Sequence, residues 1–553
     1  MTHYGSIASQ KKINHLSQAE RDLLQSDRPG YGTRSKIEVA FNLVNATVGA
    51  GIIGLPFAIS HTGFILGIFV SIFVAILSQV GLYMVVLAGQ RVGIYKFALL
   101  VEYLMGRTGY HFLNLMIFIQ AGGACISYFI LLGDTTAMLL DPYLPHFDCV
   151  STRTLVVCFI GIFCILPLNM ARSIGALARW SILSVMLFPV VLLTIILRAP
   201  AYIPEEPIPV TWIGPDVFGA LGVFAFAFTC SQVAFNNYLT LEDQSSKSWD
   251  QSTTISTFTS WLISMVFAIL GYFCFGENVQ PNLFMNFATD DWVINLGRFI
   301  LGCTMILTIP LGFYPTREAV QKTLGFETAT KQPTQLQHYT VTFVLFFAIL
   351  FSGVTIRSLG KVYGLVGGIS ATTLAFILPA IAYWVTASHY RRQKQRQAST
   401  TTTSSKSSAA SSALASAATA AAAATISIEP TLTQSSTLYH GISGSNNTYS
   451  GSYYYSSSVT DDKQLLWDMA STASSSRTPY YVDEEDVSTV GGGMEDTLSE
   501  DDDDNDDTEN GGIDAMDDRI GKPTLFLDIM AVILFVWGFV VMVLSVSSVL
   551  SQD

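Results

Sequence analysis

Residues 45–56 read Asn-Ala-Thr-Val-Gly-Ala-Gly-Ile-Ile-Gly-Leu-Pro and interrupt the first long apolar segment of the chain, which starts near Ile37. Three glycines within six residues weaken a helix, and Pro56 removes a backbone hydrogen-bond donor. Several backbone groups therefore lack partners within the helix. In a membrane, broken backbone is tolerated only where it is buried in protein or lines a water-filled cavity. The stretch predicts a membrane helix that is broken near its middle.

The composition is that of a membrane protein. Half of the residues are apolar, 13% are charged and the mean hydropathy is +0.43. The net charge of −13 is concentrated between Asp483 and Asp518, so it describes one acidic segment rather than a charged binding surface. The sequence has no nucleophile–base pair, metal-ligand spacing or phosphate-binding loop that would indicate an enzyme. We expect no cofactor, no bound metal and no nucleic-acid partner.

Apolar stretches near the roughly 20 residues that cross a bilayer recur along the chain. They predict an all-α membrane protein, in contact with the lipid bilayer, with about eleven transmembrane helices. The predicted spans are 37–60, 64–89, 111–133, 154–170, 174–197, 217–239, 253–275, 292–314, 338–356, 364–387 and 524–548.

Loop charges predict the orientation. Lysines and arginines cluster before the first span and after spans two, four, eight and ten, and by the positive-inside rule that side is the cytoplasm. The amino terminus is then cytoplasmic and the carboxyl terminus is lumenal or extracellular. Four basic residues on the opposite side are exceptions that the sequence does not explain: Arg153, Arg198, Arg357 and Lys361.

A long polar insert precedes the last span. The predicted parts of the chain are a cytoplasmic polar segment at 1–36, a ten-helix core at 37–390, a cytoplasmic insert at 391–522 and a final helix with a short end at 523–553. The insert is rich in Ser, Thr and Ala and then acidic, and such a composition favours disorder. A solvated linker is the simpler interpretation of 399–522, and recruitment of cytoplasmic regulators or sorting machinery is the alternative.

The sixth span contains a second interruption. Its apolar run leads into a polar patch that includes Thr229, Ser231 and Gln232. Interrupted helices at corresponding positions of two halves are typical of inverted-repeat transporters, which favours five-plus-five repeats at about 37–197 and 217–387. The alternative explanation of the patch is packing of small polar side chains against a neighbouring helix.

Three motifs resemble those of the amino acid/auxin permease family, which includes fungal vacuolar amino acid transporters and animal sodium-coupled neutral amino acid transporters. The run from Phe41 to Pro56 is similar to the first-helix signature of that family. The sequence from Phe224 to Asp243 resembles the sixth helix and its exit, and that from Leu307 to Arg317 resembles the eighth-helix motif. The resemblance implies a LeuT-like fold with an extra carboxyl-terminal helix, alternating access and amino acid cargo.

The resemblance also implies roles for individual residues. Backbone amides at Val48, Gly49, Ala50 and Gly51 are expected to receive the substrate carboxylate. The patch of Thr229, Ser231 and Gln232 is expected to meet the amino group or side chain. The expected ion-coupling residues are Asn45, Thr304 and Thr308.

Ser231 marks a departure from the family. Many members have a histidine after the sixth-helix cysteine, and this chain has a serine there, so a proton relay through that position is absent. Hydroxyl, amide and carbonyl oxygens suit a hard monovalent cation, but the same groups also serve as structural hydrogen-bond partners. Coupling to H+ and coupling to Na+ both remain open.

The resulting hypothesis is a secondary active transporter of amino acids, with neutral amino acids favoured. A vacuolar or related endomembrane is the expected location, and the plasma membrane is the competing one. The alternative function is an amino-acid-sensing transceptor that binds substrate and signals through the insert. A channel is disfavoured because the spans lack a continuous polar lining.

The insert can be tested apart from the core. Deleting about residues 399–520 and joining the ends with a short flexible linker should preserve substrate selectivity, because a solvated linker makes no substrate contacts. Competition assays with a panel of amino acids measure selectivity, and tagged protein reports targeting. A changed selectivity at normal membrane abundance would contradict the linker interpretation.

Overall fold

The computed structural model describes residues 29–140, 149–170, 174–327, 333–396 and 523–551. The chain divides into two units, of which the larger contains Tyr4–Ser388 and Asp506–Asp553. Of the smaller unit, only the helical residues 389–396 are described. Nearly all of the predicted insert, from 397 to 522, therefore lies outside the described residues, as do 1–28 of the predicted amino-terminal segment.

The described part of the chain is almost entirely helical. Its α-helices are α1 Lys36–Thr47, α2 Leu55–Thr62, α3 Phe64–Val92, α4 Phe97–Leu140, α5 Cys149–Ile160, α6 Leu166–Asn169, α7 Ile174–Arg198, α8 Val217–Phe228, α9 Ala234–Thr240, α10 Ser246–Phe275, α11 Trp292–Thr323, α12 Gln335–Thr355, α13 Leu359–Val366 and α14 Leu525–Ser551. After α13 the chain stays helical to Arg396 through two π-helical turns, at Gly367–Ala371 and Thr373–Ile377.

The all-α membrane fold is confirmed. Nine helical segments of the described chain are long and apolar enough to cross a membrane, and counting the bent pair at the first span gives ten. The predicted count of eleven is not confirmed. The fifth predicted span does coincide with the helix α7, which runs from Ile174 to Arg198.

The first span is broken where its glycines and proline predict. A capping box between Ser35 and Glu38 starts α1, which ends at Thr47. A 3-10 turn at Ala50–Gly54 follows, and the two halves of the span meet at an angle of 55°. Pro56 stands in the first turn of α2, where its missing N–H has no helical partner to lose.

The third predicted span is longer than the sequence indicates. The predicted 111–133 is replaced by α4, which covers Phe97–Leu140 and contains one non-helical residue, Gly106, at φ 71°. Because only glycine adopts positive φ without strain, Gly106 separates an entry segment from the membrane helix. Hydropathy alone missed that entry segment because residues 97–105 are too few to cross a bilayer.

The sixth span is interrupted as predicted. Its first half, α8, ends at Phe228, and Thr229 has an extended backbone. A 3-10 turn at Ser231–Val233 then leads into the second half, α9. Both broken spans thus resume after a short irregular stretch.

Small residues allow close packing around α8. A Cβ atom on Gly222 would lie 2.4 Å from both the Gly364 carbonyl oxygen and the Ser545 hydroxyl, so these helices approach backbone to backbone. The Ser545 hydroxyl donates to the Gly364 carbonyl at 3.1 Å. In hydrocarbon, such small-residue contacts and interhelical hydrogen bonds hold helices together. The last span therefore belongs to the packed bundle.

A short backbone strap ties the start of α1 to the loop after α9. The Thr33 and Arg34 amides donate to the Thr240 carbonyl at 3.0 and 2.9 Å, and the Glu242 amide donates to the Arg34 carbonyl at 3.0 Å. Arg34 and Leu241 form an isolated parallel β-bridge. The strap connects the two broken spans at one end of the bundle.

Two of the four unexplained basic residues have acidic partners. The Arg153 guanidinium lies 2.9 Å from the Asp134 carboxylate, with both side chains nearly buried, and donates to the Val354 carbonyl at 3.1 Å. Arg198 lies 2.7 Å from Asp291, the residue that caps α11. Both arginines are therefore held by carboxylates within the fold.

The Asp291 pair should persist in a mildly acidic compartment. Burial acts to raise the pKa of the Asp291 carboxyl, but hydrogen bonds from Arg198, the Ile294 amide and Tyr202 outweigh it and lower that pKa. A carboxyl with a lowered folded-state pKa stabilises the fold above its ordinary pKa, and this stabilisation is lost as the pH falls through the lowered value. Ionisation of Asp291 is therefore retained well below neutral pH.

The Arg153–Asp134 pair provides a test of the packing. Asp134→Leu should destabilise the protein by about 3–5 kcal/mol, because it leaves a buried guanidinium without its counter-charge. The double variant Asp134→Leu with Arg153→Met should recover most of the loss, because an apolar pair needs no counter-charge. Thermal unfolding in detergent, followed by size-exclusion chromatography, measures both. Equal losses in the two variants would contradict this account.

Candidate functional site

The two broken spans touch at their interruptions. A Cβ atom on Gly51 would lie 2.9 Å from the Cα of Ala227, in the last turn of α8. A Cβ on Gly54 would lie 2.9 Å from the ring of Tyr363, which itself stacks on Phe226 with ring centroids 5.0 Å apart. The glycines of the first break therefore permit a close approach to the sixth span. This packing buries broken backbone, as hydrocarbon requires.

The predicted carboxylate-binding residues have different surroundings. A Cβ on Gly49 would meet nothing within 4 Å, so this position borders open space, unlike Gly51. The Val48 amide donates to the Val44 carbonyl at 2.7 Å and the Gly49 amide to the Thr47 carbonyl at 3.0 Å. These two amides are bonded within the chain. Ala50 and Gly51 begin the 3-10 turn, and first-turn amides have no preceding carbonyl of their own helix to bind.

The end of α8 is held by hydroxyl groups. The Ser78 hydroxyl, on α3, donates to the Phe228 carbonyl at 2.7 Å, and the Thr229 hydroxyl donates to the Ala225 carbonyl at 2.6 Å. Carbonyls in the last turn of a helix lack amide donors, and here the two hydroxyls donate to them instead. The break in the sixth span thus depends on a side chain from the second span.

The predicted polar patch is divided between interior and surface. Thr229 and Ser231 are buried, whereas Gln232 is exposed. The Ser231 hydroxyl has no hydrogen-bond partner among the described residues. A buried hydroxyl without a partner is uncommon, because leaving it unpaired costs about 1–3 kcal/mol. Within the patch, Ser231 is therefore the residue that a bound ligand would stabilise most, by providing its hydroxyl with a hydrogen-bond partner.

A small cavity of about 10 Å³ lies beside the two breaks. Its walls come from α1, α3, α10, the last residue of α8 and the region that follows α8. The lining residues are Thr47, Ala75, Ser78, Leu82, Phe228, Cys230, Ser256, Thr257 and Ser260. A volume of this size holds about one water-sized particle.

None of these nine residues is among the site residues predicted from the sequence. Serine occurs at every fourth position of α10 from 248 to 264, and all five serines are buried. Because residues four apart share one face of a helix, the spacing marks a polar face in an apolar span. That signal was present in the sequence. The contribution of Ser78 was not, because it depends on the packing of α3 against α8.

The predicted ion-coupling residues lie in α1 and α11. The Thr304 and Thr308 hydroxyls donate to carbonyls one turn earlier in α11, at 2.8 and 2.7 Å, and Asn45 is exposed. Helix α11 packs most extensively against α4 and α7. A hydroxyl that donates to its own helix still presents oxygen lone pairs to a cation. The coupling role of these residues stays a prediction.

In the part of the chain that the structure describes, no group of three or more His, Cys, Asp or Glu side chains has an arrangement that would hold a metal ion. The hydroxyls and helix ends at the two breaks are instead suited to a small zwitterion or a monovalent cation. Helix amino termini favour anionic groups, and helix carboxyl termini favour cations.

Comparison with solved structures finds partial overlap with membrane transporters. A Na+-coupled sialic acid symporter matches with a TM-score of 0.39 and 13% identity over 67% of this chain and 86% of the other. A manganese transporter from Eremococcus coleocola gives 0.36 and 10%, over 66% and 80%. The family assignment does not rest on these two matches.

Sequence comparison assigns the family. The family model described as "Transmembrane amino acid transporter protein" matches residues 32–424. A rat (Rattus norvegicus) protein named "Putative sodium-coupled neutral amino acid transporter 11" is 32% identical over 371 residues, which cover 66% of this chain and 81% of that protein. Vacuolar amino acid transporter 2 of Saccharomyces cerevisiae is 28% identical over 63% of this chain and 75% of that protein. The predicted resemblance is confirmed, and the chain belongs to the transmembrane amino acid transporter family.

Proposed function

We propose that this protein is a secondary active transporter that carries neutral amino acids across a membrane by alternating access. The observation that supports it most directly is the contact between the two interrupted spans, where Gly51 packs on Ala227. Discontinuous membrane helices form the substrate site in many secondary transporters. Family membership supports the same use of the break here. Two relatives are named as amino acid transporters, one of them for neutral amino acids.

The helix ends suggest how an amino acid would bind. The amides of Ala50 and Gly51 open a helical segment and suit the substrate carboxylate. The buried side chains of Thr229 and Ser231 are the candidate contacts for the ammonium group, as the sequence predicts. Open space at Gly49 leaves room for the backbone of the substrate. The buried Ser231 hydroxyl would gain the partner that it lacks.

Coupling and location form the finer part of the proposal. The names of relatives include both a sodium-coupled transporter and a vacuolar one, so either an Na+ or an H+ gradient is a candidate driving force. We place the protein in a vacuolar or related membrane, with the amino terminus in the cytoplasm, on the basis of the yeast relative and the loop charges.

Transport itself is tested in proteoliposomes. Radiolabelled neutral amino acids should enter saturably. Proton and sodium gradients are imposed separately, and one of the two should accelerate uptake, because a secondary transporter draws on an ion gradient. Vesicles without protein are the control. Amino acid binding without gradient-dependent uptake would overturn the carrier and favour a sensor that signals through its insert.

The two glycines of the first break should respond differently to a methyl group. Gly51→Ala places a Cβ 2.9 Å from the Ala227 backbone, so it should lower thermal stability and reduce uptake by about tenfold or more. Gly49→Ala meets no protein atom within 4 Å, so it should leave stability unchanged and alter KM.

Gly302→Ala is the matched control, because its Cβ would make only ordinary contacts, the nearest at 3.7 Å. Stability is followed by thermal unfolding and KM by initial uptake rates. An unchanged KM in Gly49→Ala for every transported amino acid would remove Gly49 from the proposed binding site.

A further inference from the structure

Two of the hydroxyl groups that line the cavity beside the two breaks already donate their protons to backbone carbonyls. The Thr47 hydroxyl donates to the Leu43 carbonyl at 2.9 Å, and the Ser78 hydroxyl donates to the Phe228 carbonyl at 2.7 Å. A hydroxyl has one proton to donate and two lone pairs. Both oxygens therefore offer only lone pairs to a particle in the cavity.

Ser260 supplies an independent indication of a ligand. Its side chain lines the cavity and is 1% exposed, and its hydroxyl has no hydrogen-bond partner among the described residues. An orphaned buried hydroxyl is costly unless something binds it. Ser256 and Thr257 add further hydroxyls to the same wall.

The local field favours positive charge. Helix α1 ends at Thr47 and α8 ends at Phe228, and both residues line the cavity, so the negative ends of two helix dipoles meet there. None of the nine lining residues is charged. Divalent cations generally require carboxylate ligands, so this neutral set of oxygens suits a monovalent ion.

We propose that this cavity is a binding site for one monovalent cation of the size of Na+, separate from the predicted set of Asn45, Thr304 and Thr308. Thr47, Ser78 and Ser260 provide its side-chain oxygens. The volume of about 10 Å³ accommodates a single small particle without a hydration shell. As a coupling site, it rests on the proposed carrier function. As an ion-binding site, it depends only on the residues that line the cavity.

Cation binding can be measured without any transport. The purified protein, in detergent and without amino acid, is heated in NaCl or choline chloride at equal ionic strength. A ligand that binds only the folded state raises the unfolding temperature. Na+ should raise it saturably, and Ser260→Ala should increase the half-saturating Na+ concentration by about tenfold. Ser260→Cys, which replaces a hard oxygen with soft sulfur, should do the same and covers the case that the alanine variant fails to fold.

Two control variants locate the ion. Ser264→Ala removes a buried serine one turn further along α10, outside the cavity lining, and should leave the Na+ response unchanged. Thr308→Ala tests the predicted ion-coupling set separately, because Thr308 lies on α11, outside the cavity lining. No Na+-specific stabilisation, or a normal response in both Ser260 variants, would overturn the proposal and leave the cavity to a water molecule. Loss of the response in Thr308→Ala alone would instead assign the ion to α11.

The result remains separable from the transport assay. Ser260-dependent stabilisation by Na+ in a protein that takes up no amino acid would uphold the site and overturn the carrier. Proton-driven uptake by a protein that Na+ does not stabilise would uphold the carrier and overturn the site.

Discussion

The structure depends on one constraint, which is that backbone polar groups in hydrocarbon need partners inside the protein. The first span violates helical regularity between Thr47 and Leu55 and remains tolerable because the last turn of α8 covers it. The sixth span, broken in turn at Thr229, is completed by the Ser78 hydroxyl of the second span. Each break is thus stabilised by elements distant in sequence, and the irregular backbone of both collects at one place.

The features that were predictable from sequence are those that depend on the residues of a single segment. Glycine and proline between 49 and 56 mark the first break because they act on the backbone of the same segment, and the apolar runs mark most spans because each span faces lipid by itself. The entry segment before Gly106 escaped detection because it is much shorter than a membrane-spanning helix. Five buried serines in α10 carried a periodic signal whose meaning required knowing which face points inward.

Contacts between residues on different helices could not be predicted from the sequence. Nothing in residues 49–51 distinguishes Gly49, which borders open space, from Gly51, which contacts Ala227, because the difference lies in a helix almost 180 residues away in the chain. The partners of Arg153 and Arg198 were hidden for the same reason. Both arginines looked like exceptions to a charge rule and became neutral pairs once the helices were packed.

The strap between Arg34 and Leu241 limits how α1 can move relative to α9. Its backbone hydrogen bonds, to the Thr240 and Arg34 carbonyls, connect the residues before α1 to the residues at the end of α9. Swinging α1 alone has to break these bonds, at about 0.5–1.5 kcal/mol each. A displacement that keeps these bonds intact moves the start of α1 together with the end of α9.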